Sequence, residues 1–453
     1  MTTAARHVAQ FVHDLEIDRV PADVAEKTRA CLLNGYGMGL GCHDTPYAPV
    51  ARRAALAMDG ERPDGATLLG DGRKTSVAGA ALANSALFHG RAQEDTCGAA
   101  HLGTIVIPLL TALIETGRGS VRRLLPALLA GYEAGGVLEK AWAGKTTPGG
   151  FRASPLYGTV AAAMATGKLL GFDVPRLEAA LANAASFTGG ILQSFADGTD
   201  EWRYQVGVAA RLGLVAAELA RAGSVSAPHA IEGKSGLARS FARVDCDVDA
   251  LARGLGSDWA VHRVTFKPFP VCAFNQTPVT ATLALREALS GAAIDGVTVR
   301  MNPYEVGYAG MDSKGPFNSI SGTLMSIPFC IAVTLLRGAP TMLLMTRYDD
   351  GEVNALVDRV ELIADPSVPQ LCARIDVRTK DGRSVTREQN MTFADYSYDR
   401  RSVSRLVRRV GAETALPTSA YDRLERFVDR LPEGDIGDVL ASFAELPGHG
   451  KRS

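Results

Sequence analysis

Cysteine is sparse in this chain of 453 residues, which holds seven: Cys31, Cys42, Cys97, Cys246, Cys272, Cys330 and Cys372. They are scattered, odd in number and without C-x-x-C spacing, which argues against a disulfide framework or a thiolate zinc site and predicts a reduced, cytoplasmic protein. The eight histidines form no H-x-x-x-H or H-E-x-x-H pattern, so no metal is expected. Charge of one sign is also missing, with 48 basic against 49 acidic residues and a net charge of −1. No global field favours nucleic acid or an anionic membrane. Long apolar runs are absent as well: Ile105 to Ile114 is too short to span a bilayer, and MTTAARHVAQFVHDL lacks the apolar core of a signal peptide.

What is present is ordinary globular material, 46% hydrophobic and 21% charged, enough for a large core. The length exceeds what one core supports, so two domains are expected. Residues 1–256 read as an all-helical domain. Amphipathic or alanine-rich helices are predicted over Ala4–Leu15, from Pro21 onward, and over Ala51–Met58, Ser76–Phe88, Ile105–Glu115, Val121–Trp142, Tyr157–Leu170, Pro175–Ser186 and Val208–Gly223. The run Gly35-Tyr36-Gly37-Met38-Gly39-Leu40-Gly41 has no following Lys-Ser or Lys-Thr and no preceding strand. It reads as close helix packing that loosens a helix end, not as a phosphate loop. Residues 257–395 change texture. Alternating segments at Gly296–Met301, Arg359–Ile363, Arg374–Lys380 and Ser384–Gln389 predict strands, with a hairpin turn at Lys380-Asp381-Gly382-Arg383 and helices at Pro278–Leu289 and Ser321–Leu336. Residues 396–453 return to helices, Ser402–Val410, Ser419–Leu431 and Gly437–Leu446, which would pack back on the first domain and make it discontinuous. The fold class is therefore mainly α with a second α+β domain.

Chemistry concentrates in HGRAQEDTCGAAHLGT, His89 to Thr104, held between two predicted helices. A helix connection needs only a few small polar residues, whereas this one carries two histidines, an arginine, two acids, a threonine and a cysteine. His101 precedes a helix start and can exchange a proton near neutral pH. His89 sits at the preceding helix end. Cys97 lacks the surroundings of a nucleophile. In FKPFPVCAFNQT, Lys267 stands among prolines that stiffen its backbone, placed to hold a carboxylate or exchange a proton, with Gln276 nearby. Arg203, in a polar interruption from Asp197 to Gly207, has the fork to grip a carboxylate. Arg152 lies at the N-terminal approach of a helix, where a cation opposes the dipole and is expected to meet an anion.

These segments together resemble the MmgE/PrpD family, which includes 2-methylcitrate dehydratases, cis-aconitate decarboxylases and an iminodisuccinate epimerase. The resemblance runs nearly end to end, through VPADVAEKTRACLLNGYGMGLGC, the His89 and Arg152 segments, YGTVAAAMATGKLLG, GVAARLGLVAAELARAG, KPFPVCAFNQT and SIPFCIAVTLLRG. It implies a large helical domain closed by the C-terminal helices, a smaller α+β lid, a site between them, a homodimer and no cofactor. The family's H-A-L-D-F-D-D-T is similar to His89-Gly90-Arg91-Ala92-Gln93-Glu94-Asp95-Thr96, so Asp95 and Thr96 match while the first aspartate has become Ala92. The histidine of H-P-S corresponds to His101, and the lysine of K-P-Y-P to Lys267. The histidine of G-F-H-P-T-G is occupied by Arg152.

The resemblance implies a lyase that removes a proton next to a carboxylate of a small di- or tricarboxylate, by dehydration or decarboxylation. The alternatives are an epimerase of an iminodisuccinate-like acid and a relative that binds a small acid without turnover. His101, Lys267, Asp95 and Thr96 are the expected catalytic set, and Arg152, Arg203, Tyr157, His89, Arg91 and Gln276 the expected substrate-binding set.

Overall fold

The computed structural model describes residues 2–447. Its first half is helical, as the periodicity predicts, with helices Ala4–Asp14, Ala22–Gly41, Tyr47–Asp59, Val77–Phe88, Gly103–Glu115, Leu124–Thr146, Ala153–Leu170, Val174–Phe187 and Glu201–Arg221. One apolar core gathers these helices together with residues of the C-terminal segment, including Val403, Val407, Tyr421, Phe427 and Phe443. The large helical domain is therefore discontinuous, its C-terminal helices packing back on the first segment.

The glycine-rich run does not loosen a helix end. Ala22–Gly41 is helical throughout, because a Cβ at Gly35, Gly37, Gly39 or Gly41 would meet Ile107, Val407, Phe88 or Val410 at 2.3 to 2.6 Å. Close packing on both sides of the helix outweighs the poor intrinsic propensity of glycine. A second difference concerns Asp197–Gly207, which is not a loop before a helix: the helix begins at Glu201 and carries Trp202 and Arg203 in its first turn.

The α+β unit contains a four-stranded sheet in the order Val360–Ala364, Ile294–Met301, Cys372–Thr379, Ser384–Asn390, with the first pair parallel and the others antiparallel. Gln276–Leu289 packs on this sheet and on Ile327–Arg337. The expected single helix over Ser321–Leu336 is two, Ile320–Met325 and Ile327–Arg337. Ser326 is extended between them and caps Phe329 N–H, and Pro328 sits in the first turn, where it needs no donor. The core of this unit also takes in Ala92, Phe195 and Trp202 from the helical part, so the two units share a seam. Among the described residues no helix is long and apolar enough to cross a membrane.

The packing argument predicts opposite signs for two glycine substitutions. Gly39→Ala should destabilise by about 1–3 kcal/mol through its clash with Phe88. Gly144→Ala, with nothing within 4 Å of the added carbon, should stabilise by roughly 0.5–1 kcal/mol. Urea unfolding midpoints compare them, and equal shifts would contradict the argument.

Candidate active site

The His89–Leu102 segment is irregular because its backbone turns twice through left-handed conformations, at Ala92 (φ 55°) and Gly98 (φ 58°). A two-residue antiparallel pairing between these points, Thr96 with Thr265 and Cys97 with Val264, ties it to the stretch before Lys267. That pairing brings positions some 170 residues apart into one place. The KPFP turn is then clamped: Gln93 Nε2 donates to Pro268 O at 2.9 Å, and Gln276 binds Phe269 N, Phe269 O and Val271 O at 3.0 to 3.1 Å.

A cavity of about 420 Å³ opens beside this junction, and His101, Lys267, Thr96, Ala92 and Gln276 line it together with the aromatic wall of Phe195, Trp202 and Phe274. Next to the cavity the buried Glu94 carboxylate lies between three groups, two from its own segment and one remote in the chain. Its Oε1 is 2.8 Å from His101 Nδ1, 2.9 Å from His89 Nδ1 and 3.6 Å from Lys267 Nζ. Lys267 Nζ also donates to Ala92 O at 2.6 Å, a carbonyl presented by the left-handed turn.

These contacts fix the tautomers. His101 Nδ1 faces two acceptors, Glu94 and Asp95 O at 3.2 Å, so it carries the proton. Burial first, and the Lys267 ammonium second, push His101 down to about 4, against the pull of Glu94. At neutral pH the ring is uncharged, and Nε2 holds its lone pair. His89 Nε2 lies 2.7 Å from Arg152 Nη2, which can only donate. His89 therefore also bears its proton on Nδ1, and burial holds it well below its ordinary value. Burial works against ionisation of Glu94, but the two rings and the Lys267 ammonium outweigh it and keep the carboxyl well below the usual range.

The other expected residues are less exposed to the cavity. Asp95 turns away from it, accepting the Tyr132 hydroxyl at 2.6 Å, and burial pushes its carboxyl up to about 6. The Thr96 hydroxyl bonds that of Thr265 at 2.8 Å. Arg152 caps the helix Ala153–Leu170 without the anionic partner expected of it. Its guanidinium instead meets His89, Gln205 Oε1, Trp202 O and the faces of Phe195 and Trp202. Arg203 binds the carbonyls of His89 and Gly90 at 3.0 and 2.7 Å and stacks on Tyr47 and Trp202, so it braces the segment. Arg91 pairs with Glu413, and Tyr157 with Thr146, neither lining the cavity. Cys97 is fully buried with its thiol pushed well above the usual value by burial, which suits no nucleophile.

Sequence reasoning missed Glu94, since only its neighbour Asp95 matched the recognised pattern. It also missed the wall residues Trp202 and Phe195. The one available signal for Glu94 was its place between two histidines in a connection too polar for a turn.

His89, Glu94 and His101 offer ligand atoms within 4.8 Å of one another, a cluster that sequence spacing did not indicate. The donor set does not suit a metal ion. Both Nδ1 atoms need their protons, Arg152 occupies the other nitrogen of His89, and a lysine ammonium stands 3.6 Å from the carboxylate. Chelator treatment should therefore leave the melting temperature unchanged, and a clear drop would assign a metal to this cluster. Glu94→Gln should cost about 3 kcal/mol at pH 7, because Lys267 then lacks its buried counter-charge. As the native Glu94 carboxyl is depressed, its contribution is present above the unfolded value of about 4.3 and lost as pH falls below it. The gap between wild type and variant should accordingly close in acid, and a constant gap would refute the charge argument.

The comparisons with known proteins agree with this architecture. The MmgE/PrpD N-terminal domain matches residues 6–246, and the MmgE/PrpD C-terminal domain matches residues 269–401. A cis-aconitate decarboxylase of Aspergillus terreus is 26% identical over 410 residues, covering 84% of this chain and 83% of that protein. The cis-aconitate decarboxylase of Mus musculus is 24% identical over 474 residues, covering 97% and 93%. The cis-aconitate decarboxylase-like protein oryM of Aspergillus oryzae is 31% identical over 230 residues, covering 48% and 47%. Two family domains in chain order, together spanning most of its length, show that the chain belongs to the MmgE/PrpD family.

Proposed function

We propose that this protein is a lyase acting on a small di- or tricarboxylate, taking a proton from the carbon next to a carboxylate and expelling water. The observation that carries the reading is the fixed tautomer of His101: with Nδ1 held between Glu94 and Asp95 O, Nε2 is the basic nitrogen left for a substrate. Removing such a proton leaves an enolate-like anion, which is costly unless a cation waits where the charge develops. Lys267 supplies that cation in the same cavity, and its bond to Ala92 O holds it in place. Glu94 offsets the lysine's charge and orients His101. Arg152 and His89 act at one remove, as positioning residues, by keeping Glu94 ionised and the second imidazole neutral.

Decarboxylation is the second reading. The relatives named above as cis-aconitate decarboxylases favour it, and so does the apolar wall of Phe195, Trp202 and Phe274, which would desolvate a departing carboxylate. In that reaction His101 would give a proton to the carbanion and so would have to be charged.

The pH dependence of kcat/KM, which reports the free enzyme, separates the two. With His101 as base, kcat/KM should hold from neutral pH down to about 4 and fall below it. With His101 as acid, it should fall as pH rises above that value. Solvent-deuterium wash-in, followed by NMR over malate, citrate, 2-methylcitrate and cis-aconitate, tests for the chemistry itself. His101→Gln should lower turnover by roughly 100-fold or more. No label in any acid would leave only a binding protein, and a variant turning over at the wild-type rate would remove His101 from the mechanism.

A further inference from the structure

Elimination of water needs a second proton-transfer group, and none stands beside Glu94 with a proton to spare except Lys267, whose charge serves the enolate. The same cavity is also lined by Glu305, contributed by the α+β unit. It lies on the short helix Pro303–Val306, which follows the strand Ile294–Met301 directly, so its backbone is set by the sheet. The side chain is 1% exposed. Oε1 accepts Leu371 N–H at 2.9 Å, while Oε2 is buried without any partner.

The group that holds Glu305 is itself unusual. Leu371 has a φ of 61°, a left-handed conformation that costs a side chain of this kind on the order of 1 kcal/mol or more. It also lines the cavity. Its carbonyl is held by the Thr277 hydroxyl at 3.0 Å and by Met391 N–H at 3.2 Å. The strained turn thus aims an N–H at one carboxyl oxygen and leaves the other buried without a partner, in a residue that lines the cavity. Asp95 shares this pattern of one bonded and one unpartnered oxygen, but of the two carboxyls only Glu305 lines the cavity.

Resting on the lyase reading above, we propose that Glu305 is the acid of this site and that the substrate is a β-hydroxy di- or tricarboxylate. His101 Nε2 takes the proton from the α-carbon, and the C–H electrons form the C–C double bond. The C–O bond at the β-carbon breaks, and the leaving hydroxyl takes the Glu305 proton to depart as water. The site is left with an imidazolium and a carboxylate, which exchange protons with solvent to return to the start.

Burial supports this role, pushing the carboxyl up to about 7 with only the Leu371 N–H opposing, so that about half of it is protonated at neutral pH and most of it below. The ionisable groups that feel it are Tyr304, Tyr396 and Cys272, each shifted upward by burial and so uncharged. The two proton-transfer groups of the cavity therefore have environments that push them in opposite directions, base downward and acid upward, as a paired elimination requires.

Glu305→Gln keeps the acceptor for Leu371 N–H and has no proton to give. With malate, citrate and 2-methylcitrate in deuterated water, its elimination rate should fall about 100-fold or more, with far less loss of α-carbon label exchange, a step that belongs to His101. The alkaline limb of wild-type kcat near pH 7 should disappear in whatever activity remains. Glu305→Asp, which retains a carboxyl one methylene further back, should recover part of the elimination and guards against a Gln variant that fails to fold. Elimination by Glu305→Gln at the wild-type rate would overturn the assignment, as would a wild type that exchanges label but eliminates nothing. A wild type that does neither would overturn the lyase reading, and this inference with it.

Discussion

A buried carboxylate, Glu94, is the constraint from which the site is built. Placed without solvent, it is held ionised by two imidazoles and an ammonium within 3.6 Å, although neither of its oxygens makes a well-aligned hydrogen bond. Each partner is fixed in return: His89 and His101 must carry their protons on Nδ1, and Lys267 must point inward. Removing any one leaves a buried charge or donor without compensation, so the group stands or falls together. Its position beside His101 Nδ1 leaves one nitrogen, His101 Nε2, as the basic atom available to a ligand in the cavity.

The scaffold works by limiting freedom at the ends of chain segments and not by surrounding the site with secondary structure. Helices Val77–Phe88 and Gly103–Glu115 fix the two ends of the reactive connection, and a two-residue pairing with Val264–Thr265 fixes its middle. Strained turns then aim specific groups. Ala92 presents its carbonyl to Lys267, and Leu371 presents its N–H to Glu305, each from a left-handed backbone that is unfavourable in isolation. Both sit on the cavity wall, one from each unit.

The departures of this chain from the MmgE/PrpD pattern fall inside this arrangement. Arg152, where the resemblance leads one to expect a histidine, acts on the protein's own His89 and sits over the rings of Phe195 and Trp202. Its donor locks the tautomer of the neighbouring ring. Ala92, where the resemblance leads one to expect an aspartate, contributes its backbone carbonyl to Lys267 and lines the cavity. The two changes leave the charge of this cluster to Glu94, Lys267 and the histidine tautomers.

Local periodicity made most of the fold legible. The helices of the first half, the four strands and the return to helix after residue 396 follow from apolar spacing and turn residues, because burial of one face dictates that spacing. Where local signals misled, packing was the reason: four glycines persist in a continuous helix since larger side chains would collide with Ile107, Val407, Phe88 and Val410. Arg203 and Trp202 look like loop residues by composition but belong to a first helical turn. His101 and Lys267 were identifiable because histidine and a proline-flanked lysine advertise their chemistry by type. By itself the sequence determined most of the elements, the family and several of the groups that line the cavity, His101 and Lys267 among them. Only the tertiary structure decided that Glu94 joins them, that Asp95, Arg203 and Tyr157 turn elsewhere, and that Glu305 lines the same cavity. Proton positions and charge states depend on distances between residues remote in the chain, and no linear pattern encodes those distances.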